Sequence, residues 1–337
     1  MEASPSRNGQ HAAFKTFDPF DLHGLQTYEL KSRPSKVFYE DLGYPVGPSV
    51  SVGDWLDSLP RLLAGNDLRS VRDQICRAYQ ESRTTVVALG GHVIKTGCAP
   101  YLIDWVKRGL VTAVVMNGAA AIHDFELALV GKTSEDVAVQ LSAGQFGMAR
   151  ETADAFAVAA RLGAENDTGL GQALGKHLHE THCEHADCSL VLAAYRAGMP
   201  CTIHVALGTD IVHMHPHVSG AALGEASMID FRRLCSVVAS MKSGVWMNLG
   251  SAVILPEVLL KAVGVVRNYG YSLDGLVTVN VDKQAQYRSR VNVLDRPASQ
   301  GIELIGHHEI LLPLLHAAVA HRLAAQSYRL TNKDQAA

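Results

Sequence analysis

Short apolar runs, most of them ending in a turn of small residues, recur along this chain and predict its architecture. Five are rich in valine: TTVVAL (84–89), VTAVVMN (111–117), PCTIHVAL (200–207), GVWMNLG (244–250) and GLVTVNV (275–281). Their apolar character is continuous rather than alternating, which predicts strands buried on both faces, as in a parallel sheet. Between them lie stretches with helical spacing: APYLIDWVKRGL, IHDFELALVG, DFRRLCSVVASM and PEVLLKAVGVVRNYG. Strand, turn and helix in alternation predict a doubly wound α/β fold with a mostly parallel sheet, whose ligands bind outside the carboxyl ends of the strands. A further helical pattern, SVGDWLDSLPRLLAGNDLRSVRDQICRAYQES, precedes the first strand. Residues 1–35 are expected to form a mobile arm, residues 36–325 one α/β domain, and residues 326–337 (QSYRLTNKDQAA) a flexible tail.

Composition narrows the function without naming it. With 337 residues, 47% hydrophobic and 19% charged, the chain has material for a large core. A net charge of −3 leaves no electrostatic footprint for nucleic acid or an anionic membrane. The opening MEASPSRNGQHAAF lacks the apolar core of a signal peptide, and the longest membrane candidate, AVILPEVLLKAVGVV, is broken by Pro256, Glu257 and Lys261. The six cysteines follow no framework spacing, so reduced thiols and a cytoplasmic location are expected.

Four strand ends run into loops that carry polar chemistry: GGHVIKTG (90–97), NGAAAIHDFE (117–126), GTDIVHMHP (208–216) and NLGSAVILPE (248–257). Small residues there let backbone amides approach a ligand, and a helix N-terminus beyond offers partial positive charge. Any one of them taken alone reads equally well as a tight turn. Together they bring Lys95, His92, His123, Asp124, Glu126, Asp210 and Glu257 toward one edge of the sheet. The chain also has two histidine clusters. GKHLHETHCEHADC places His179, His182 and His185 at three-residue steps with Cys183, Asp187 and Cys188 nearby, and HMHPH places His213, His215 and His217 on one side of an extended segment. Either is a candidate metal site for a hydrolase or lyase, although neither matches an established zinc spacing, and solvent-facing or structural histidines are the plainer reading. Ser251 lacks a nucleophile elbow, and no cysteine sits in a catalytic signature.

Taken in order, GGHVIKTG, APYLIDWVKRGLV, TAVVMNGAAAIHDFELAL, GQFGMARET, CSLVLAAYRAGMPCTIHVALGTD, NLGSAVILPEVLLKAVGVVRNYGYSLDGLVTVN and GHHEILLPLLHAAVAH resemble the deoxyhypusine synthase family over roughly residues 50–325. The resemblance implies a Rossmann-like NAD-binding topology, a homotetramer, and oxidation of a polyamine through an imine. It assigns NAD to Gly90, Gly91, Thr96, Gly97, Asn117, Gly118, Ala119, Gly250 and Ser251. The chain departs from the family where the lysine chemistry is done. Residues 281–306 carry no Trp-Gly-Lys, only Lys283; Pro256-Glu257 replaces a histidine pair; and Ile122-His123 followed by Asp124 stands where the family has an acidic pair. The stretch AIHDFE (121–126) is also similar to the NAD-binding part of the non-crystallin ornithine cyclodeaminases.

Both resemblances imply an NAD-dependent enzyme that oxidises an amine, polyamine or amino acid through an imine, with a product other than deoxyhypusine. In that reading His123, held by Asp124 and Glu126, is the base that frees the amine. Asp210, Glu257 and Glu126 grip the cationic substrate, and Lys95 binds an anion or forms a Schiff base. The remaining alternative is an NAD-binding protein whose catalytic residues have decayed.

Overall fold

The computed structural model describes residues 17–334. The first sixteen residues of the expected arm and the last three of the expected tail lie outside the described residues. Two units are distinguished, Met1–Tyr39 and Glu40–Ala337. In the first, every described residue is exposed, and one short 3-10 turn forms at Leu30–Ser32.

The second unit contains a six-stranded sheet. Its strands are β1 (Thr85–Leu89), β2 (Ala113–Asn117), β3 (Cys201–His204), β4 (Val245–Leu249), β5 (Val277–Asp282) and β6 (Gln300–Ile305). All neighbours run parallel, in the order β3-β2-β1-β4-β5-β6. This is the doubly wound order, with its topological switch between β1 and β4. The helices are α1 (Val52–Ser58), α2 (Leu63–Gln80), α3 (Gly91–Lys95), α4 (Ala99–Lys107), α5 (Gly118–Val130), α6 (Val137–Ser142), α7 (Arg150–Glu165), α8 (Gly169–Glu180), α9 (Leu190–Arg196), α10 (Gly220–Ala239), α11 (Ile254–Asn268), α12 (Tyr287–Ser289) and α13 (His308–Asp334). Helical backbone thus extends to Asp334, into the stretch expected to be a tail.

Each central strand is apolar on both faces because helices cover both. On β1, Val87 and Leu89 join a core with α2, α4, α5 and α7–α9, whereas Val86 and Ala88 join one with α10 and α11. Fully burying one such side chain contributes about 1.5–3 kcal/mol, so the register that keeps both sets inside is strongly favoured. Five strands fall where the valine-rich runs predict them; β3 is shorter, ending at His204. The sixth, β6, is an edge strand of which only Ile302 and Leu304 are buried. Among the described residues, no helix is long and apolar enough to cross a membrane.

Candidate active site

The carboxyl ends of β1, β2 and β3 open onto a cavity of ≈ 230 Å³ lined by Lys95, His123, Glu126, Glu135, Phe146 and Asp210, among others. Its size suits a small molecule, well short of a whole dinucleotide. Four of the residues expected from the strand-end loops therefore converge, delivered by three successive strand ends.

Asn117 ends β2 and caps α5, its side-chain oxygen accepting from the Ala120 amide at 2.9 Å. The helix then places His123 and Glu126 on one face, three residues apart. Gly131, at φ +68°, turns the chain out of α5 and brings Thr133 back beside both. Thr133 Oγ1 donates to Glu126 Oε2 at 2.5 Å and lies 2.7 Å from His123 Nδ1. Buried Thr152, on α7, donates to the other Glu126 oxygen at 3.0 Å. Burial, and then the charge of Lys95, hold His123 down to a pKa of about 4. The imidazole is neutral through the physiological range.

Asp210 approaches from the loop after β3. Its carboxylate lies against the first residue of α5: a Cβ on Gly118 would come 2.0 Å from Asp210 Oδ2. The Asp210 side chain is 7% exposed, its Oδ2 has no hydrogen-bond partner, and burial pushes its pKa up against the opposing pull of His213. The nearby helix N-terminus favours the charged form.

A second feature lies at the switch point. Gly90 packs directly on the Gly250 backbone, where a Cβ would meet the Gly250 carbonyl oxygen at 2.4 Å. Gly250 itself, at φ +61°, lies under the imidazole of His308, the first residue of α13. His308 is buried; its Nε2 lies 3.1 Å from the Val281 carbonyl while its Nδ1 has no partner. His92 meets the same ring edge-on at 5.6 Å. Burial, followed by the charges of His308, Lys283 and Lys95, lowers the His92 pKa.

Other expected site residues have different work. Asp124 is fully buried and faces away from the cavity, accepting from Ser189 Oγ (2.5 Å), Leu190 N (2.7 Å) and Val191 N (3.2 Å) at the start of α9. Burial raises its pKa to about 6 although all three donors pull it down. It therefore does not hold His123; Thr133 and Glu126 do. Glu257 lies on α11, bonded to Lys261, Asn292 and Arg288, and does not line the cavity. Among the expected cofactor residues, Thr96 and Gly97 end α3, and the Thr96 hydroxyl bonds the His92 carbonyl. Asn117 is the α5 cap, Gly118 makes room for Asp210, and Ala119 lines the cavity. Ser251 is buried, its Oγ accepting from Leu255 N. Gly90 and Gly250 let two strand-end turns meet backbone to backbone, and Gly91 makes room for the His123 ring and Ala119.

The histidine clusters are separated. Helix α8 stops at Glu180, so His182 and His185 leave the face that His179 occupies. His179 meets the Tyr195 ring, and His185 packs on Gly131. Residues 211–214 form a 3-10 turn rather than an extended segment. It turns His213 inward to accept from the Gly208 and Asp210 amides, His215 to the Gly147 carbonyl and His217 to Asp154. Among the described residues, no group of three His, Cys, Asp or Glu side chains converges as a metal site would require. Thr133 and Thr152 were not legible as site residues, since a lone threonine carries no motif.

No protein-family model and no curated protein sequence matches the chain. Its fold is shared with solved structures. AgrE, in a ternary complex with ornithine and NAD+, aligns at a TM-score of 0.50 and 13% identity, over 77% of this chain and 33% of AgrE. A candidate LOR/SDH protein of Methanococcus maripaludis aligns at 0.48 and 19% identity, over 76% of this chain and 69% of that one. A candidate deoxyhypusine synthase of Entamoeba histolytica aligns at 0.47 and 12%, over 83% and 96%. The chain spans about a third of the length of AgrE and of the arginine dihydrolase ArgZ. At these identities the likeness is one of fold, an α/β parallel sheet.

Proposed function

We propose that this chain is an NAD-dependent enzyme that oxidises a small amine at the carbon bearing nitrogen, giving an imine. The observation that carries the proposal is the convergence of Lys95, His123, Glu126 and Asp210, from three adjacent strand ends, on one small cavity beside the switch-point crevice. The switch point is where a doubly wound sheet takes a dinucleotide; there Gly90 and Gly250 let two turns meet backbone to backbone, and buried His308 keeps one ring nitrogen without a partner. Bound NAD would supply the hydride acceptor. The chain's own residues do the rest. Asp210 and Glu126 attract the ammonium, and neutral His123 takes a proton from it, since only a free amine has the lone pair that drives hydride departure. Lys95 offers the cavity a cation for an anionic substrate group and adds to the burial that keeps His123 unprotonated.

Support also comes from AgrE, whose complex contains ornithine and NAD+ on a similar fold. A homotetramer in the cytoplasm belongs to the same proposal, by family resemblance. The test is a thermal melt with and without NAD. Ligand binding to the folded state raises stability by RT ln(1 + [L]/Kd), so NAD at 100 times Kd adds about 2.7 kcal/mol. An unchanged melting temperature at millimolar NAD would remove the cofactor from the proposal. His123→Ala should keep the NAD shift and abolish amine oxidation.

A further inference from the structure

The geometry points to Thr133 as the residue that sets which nitrogen of His123 is the base, an inference that rests on the proposed role of His123. The argument is a count of protons. A carboxylate only accepts, and both Glu126 oxygens are engaged, one by Thr152 and one by Thr133. The single hydroxyl proton of Thr133 is spent on Glu126. Toward His123, 2.7 Å away, Thr133 can therefore only accept. His123 must then carry its proton on Nδ1, which leaves the lone pair on Nε2. A histidine free in water favours the opposite tautomer, with the proton on Nε2, so the preference has to be imposed by the surroundings.

The fold builds this arrangement from three separate places. His123 and Glu126 share a face of α5, Gly131 reverses the chain to deliver Thr133, and α7 delivers Thr152. Direct contact between His123 and Glu126 does not replace the bridge: the His123 Nδ1 to Glu126 Oε2 distance is 4.0 Å. On the far side of the ring, Gly91 leaves the Cδ2 edge room, since a Cβ there would sit 3.0 Å from Cδ2. When Nε2 takes a proton from the substrate ammonium, the N–H bond of the ammonium breaks and an Nε2–H bond forms. The imidazolium then has Nδ1–H on Thr133, whose oxygen is polarised by its own donation to Glu126. Thr133 touches no substrate in this scheme and acts through His123, so it is a positioning residue.

The experiment reads the tautomer directly and needs no substrate. The full chain is labelled with 15N histidine, and long-range proton–nitrogen spectra are recorded at pH 7.5 without NAD, the His123 signals being assigned by their loss in His123→Gln. The expected result is an Nδ1–H tautomer in the native chain and in Thr133→Ser, changing to mainly Nε2–H in Thr133→Val. An Nε2–H tautomer in the native chain overturns the inference whatever the variants do, so it stays testable even if Thr133→Val fails to fold. An unchanged tautomer in folded Thr133→Val overturns it equally. Once a substrate is in hand, Thr133→Val should lower kcat at least tenfold with little change in KM, and Thr133→Ser should restore it. The NAD melt stands apart from the spectrum: a chain with no NAD response but the expected tautomer refutes the proposed function, and the reverse refutes the role of Thr133.

Discussion

Replacing Asp124 separates a structural carboxylate from a catalytic one more cleanly than any other change. Asp124→Ala leaves the Ser189 hydroxyl and the Leu190 and Val191 amides facing a cavity in a site with no exposure. Each buried donor left without a partner costs about 1–3 kcal/mol. Relaxation of α9 and entry of water offset part of this, so a total of about 3–5 kcal/mol is expected, the range for a broken buried network. At roughly 2.1 cal/mol/K of unfolding entropy per residue over 337 residues, that lowers the melting temperature by about 4–7 °C. Asp124→Asn should lie between, because its oxygen still accepts from Leu190 N and its amide can donate to the Ser189 oxygen, while the Ser189 hydroxyl proton and the Val191 amide lose their acceptor. Calorimetric melts of the three proteins, each with and without NAD, give the answer. The order native, Asn, Ala, with the NAD shift preserved in all three, is expected. An Ala variant that melts within about 1 °C of the native chain, or a variant of native stability that has lost the NAD response, would refute the reasoning and return Asp124 to the active site.

Three further changes probe the crevice, the base and the acid limit. Gly90→Ala forces a Cβ against the Gly250 carbonyl, backbone on backbone, and should cost about 1–3 kcal/mol and abolish the NAD shift; Gly91→Ala meets only the His123 ring edge and Ala119 and should be milder, so equal melts would count against the crevice. Lys95→Met removes the charge that helps hold His123 down and should raise its pKa from about 4, as read by NMR titration; an unmoved pKa would show that Lys95 does not face the ring. His123 and His204 are both depressed, to about 4 and about 3, from 6.5. Below 6.5 the unfolded chain binds their protons while the folded chain does not, so the stability they lend is complete above 6.5 and is lost as pH falls toward 4 and then 3. Urea titrations should show a shallower loss of stability over that window in His204→Gln, and identical slopes would exclude the histidine as a cause.

Some of this architecture can be read from the chain because the physics is local. A valine-rich run is apolar on both faces and so declares a central strand; QGIELI buries only two of its residues and is not among the runs that predict a strand. Strand ends share one edge in any doubly wound sheet, which is why Lys95, His123, Glu126 and Asp210 were legible as neighbours around one cavity. Asp124 was misleading for a geometric reason. On a helix the residue next to His123 is rotated by about 100°, so it faces α9, while the partner on the same face is three positions on. The histidine clusters failed because α8 ends before its pattern does and because residues 211–214 coil instead of extending. Thr133 and Thr152 depend on a chain reversal at Gly131 and on the packing of α7, neither of which leaves a mark in local spacing.

The position of the cavity follows from the same asymmetry of the connections. A doubly wound sheet switches direction once, between β1 and β4, and there the glycines at 90 and 250 let two strand-end turns meet backbone to backbone. Much of the cavity wall comes from the long connection between β2 and β3: Ser134, Glu135, Val137 and Phe146 line it, and Thr133 and Thr152 from the same connection hold Glu126. The short helix α3 is the joint between the two. Its Gly90–Gly91 entry contacts Gly250 on one side and His123 on the other, His92 faces His308, and Lys95 reaches the cavity. A displacement of α3 by one added methyl group is therefore felt by both the Gly250 turn and the His123 ring. The two glycines that end the first strand thus let one turn of helix pack against Gly250 on one side and the His123 ring on the other.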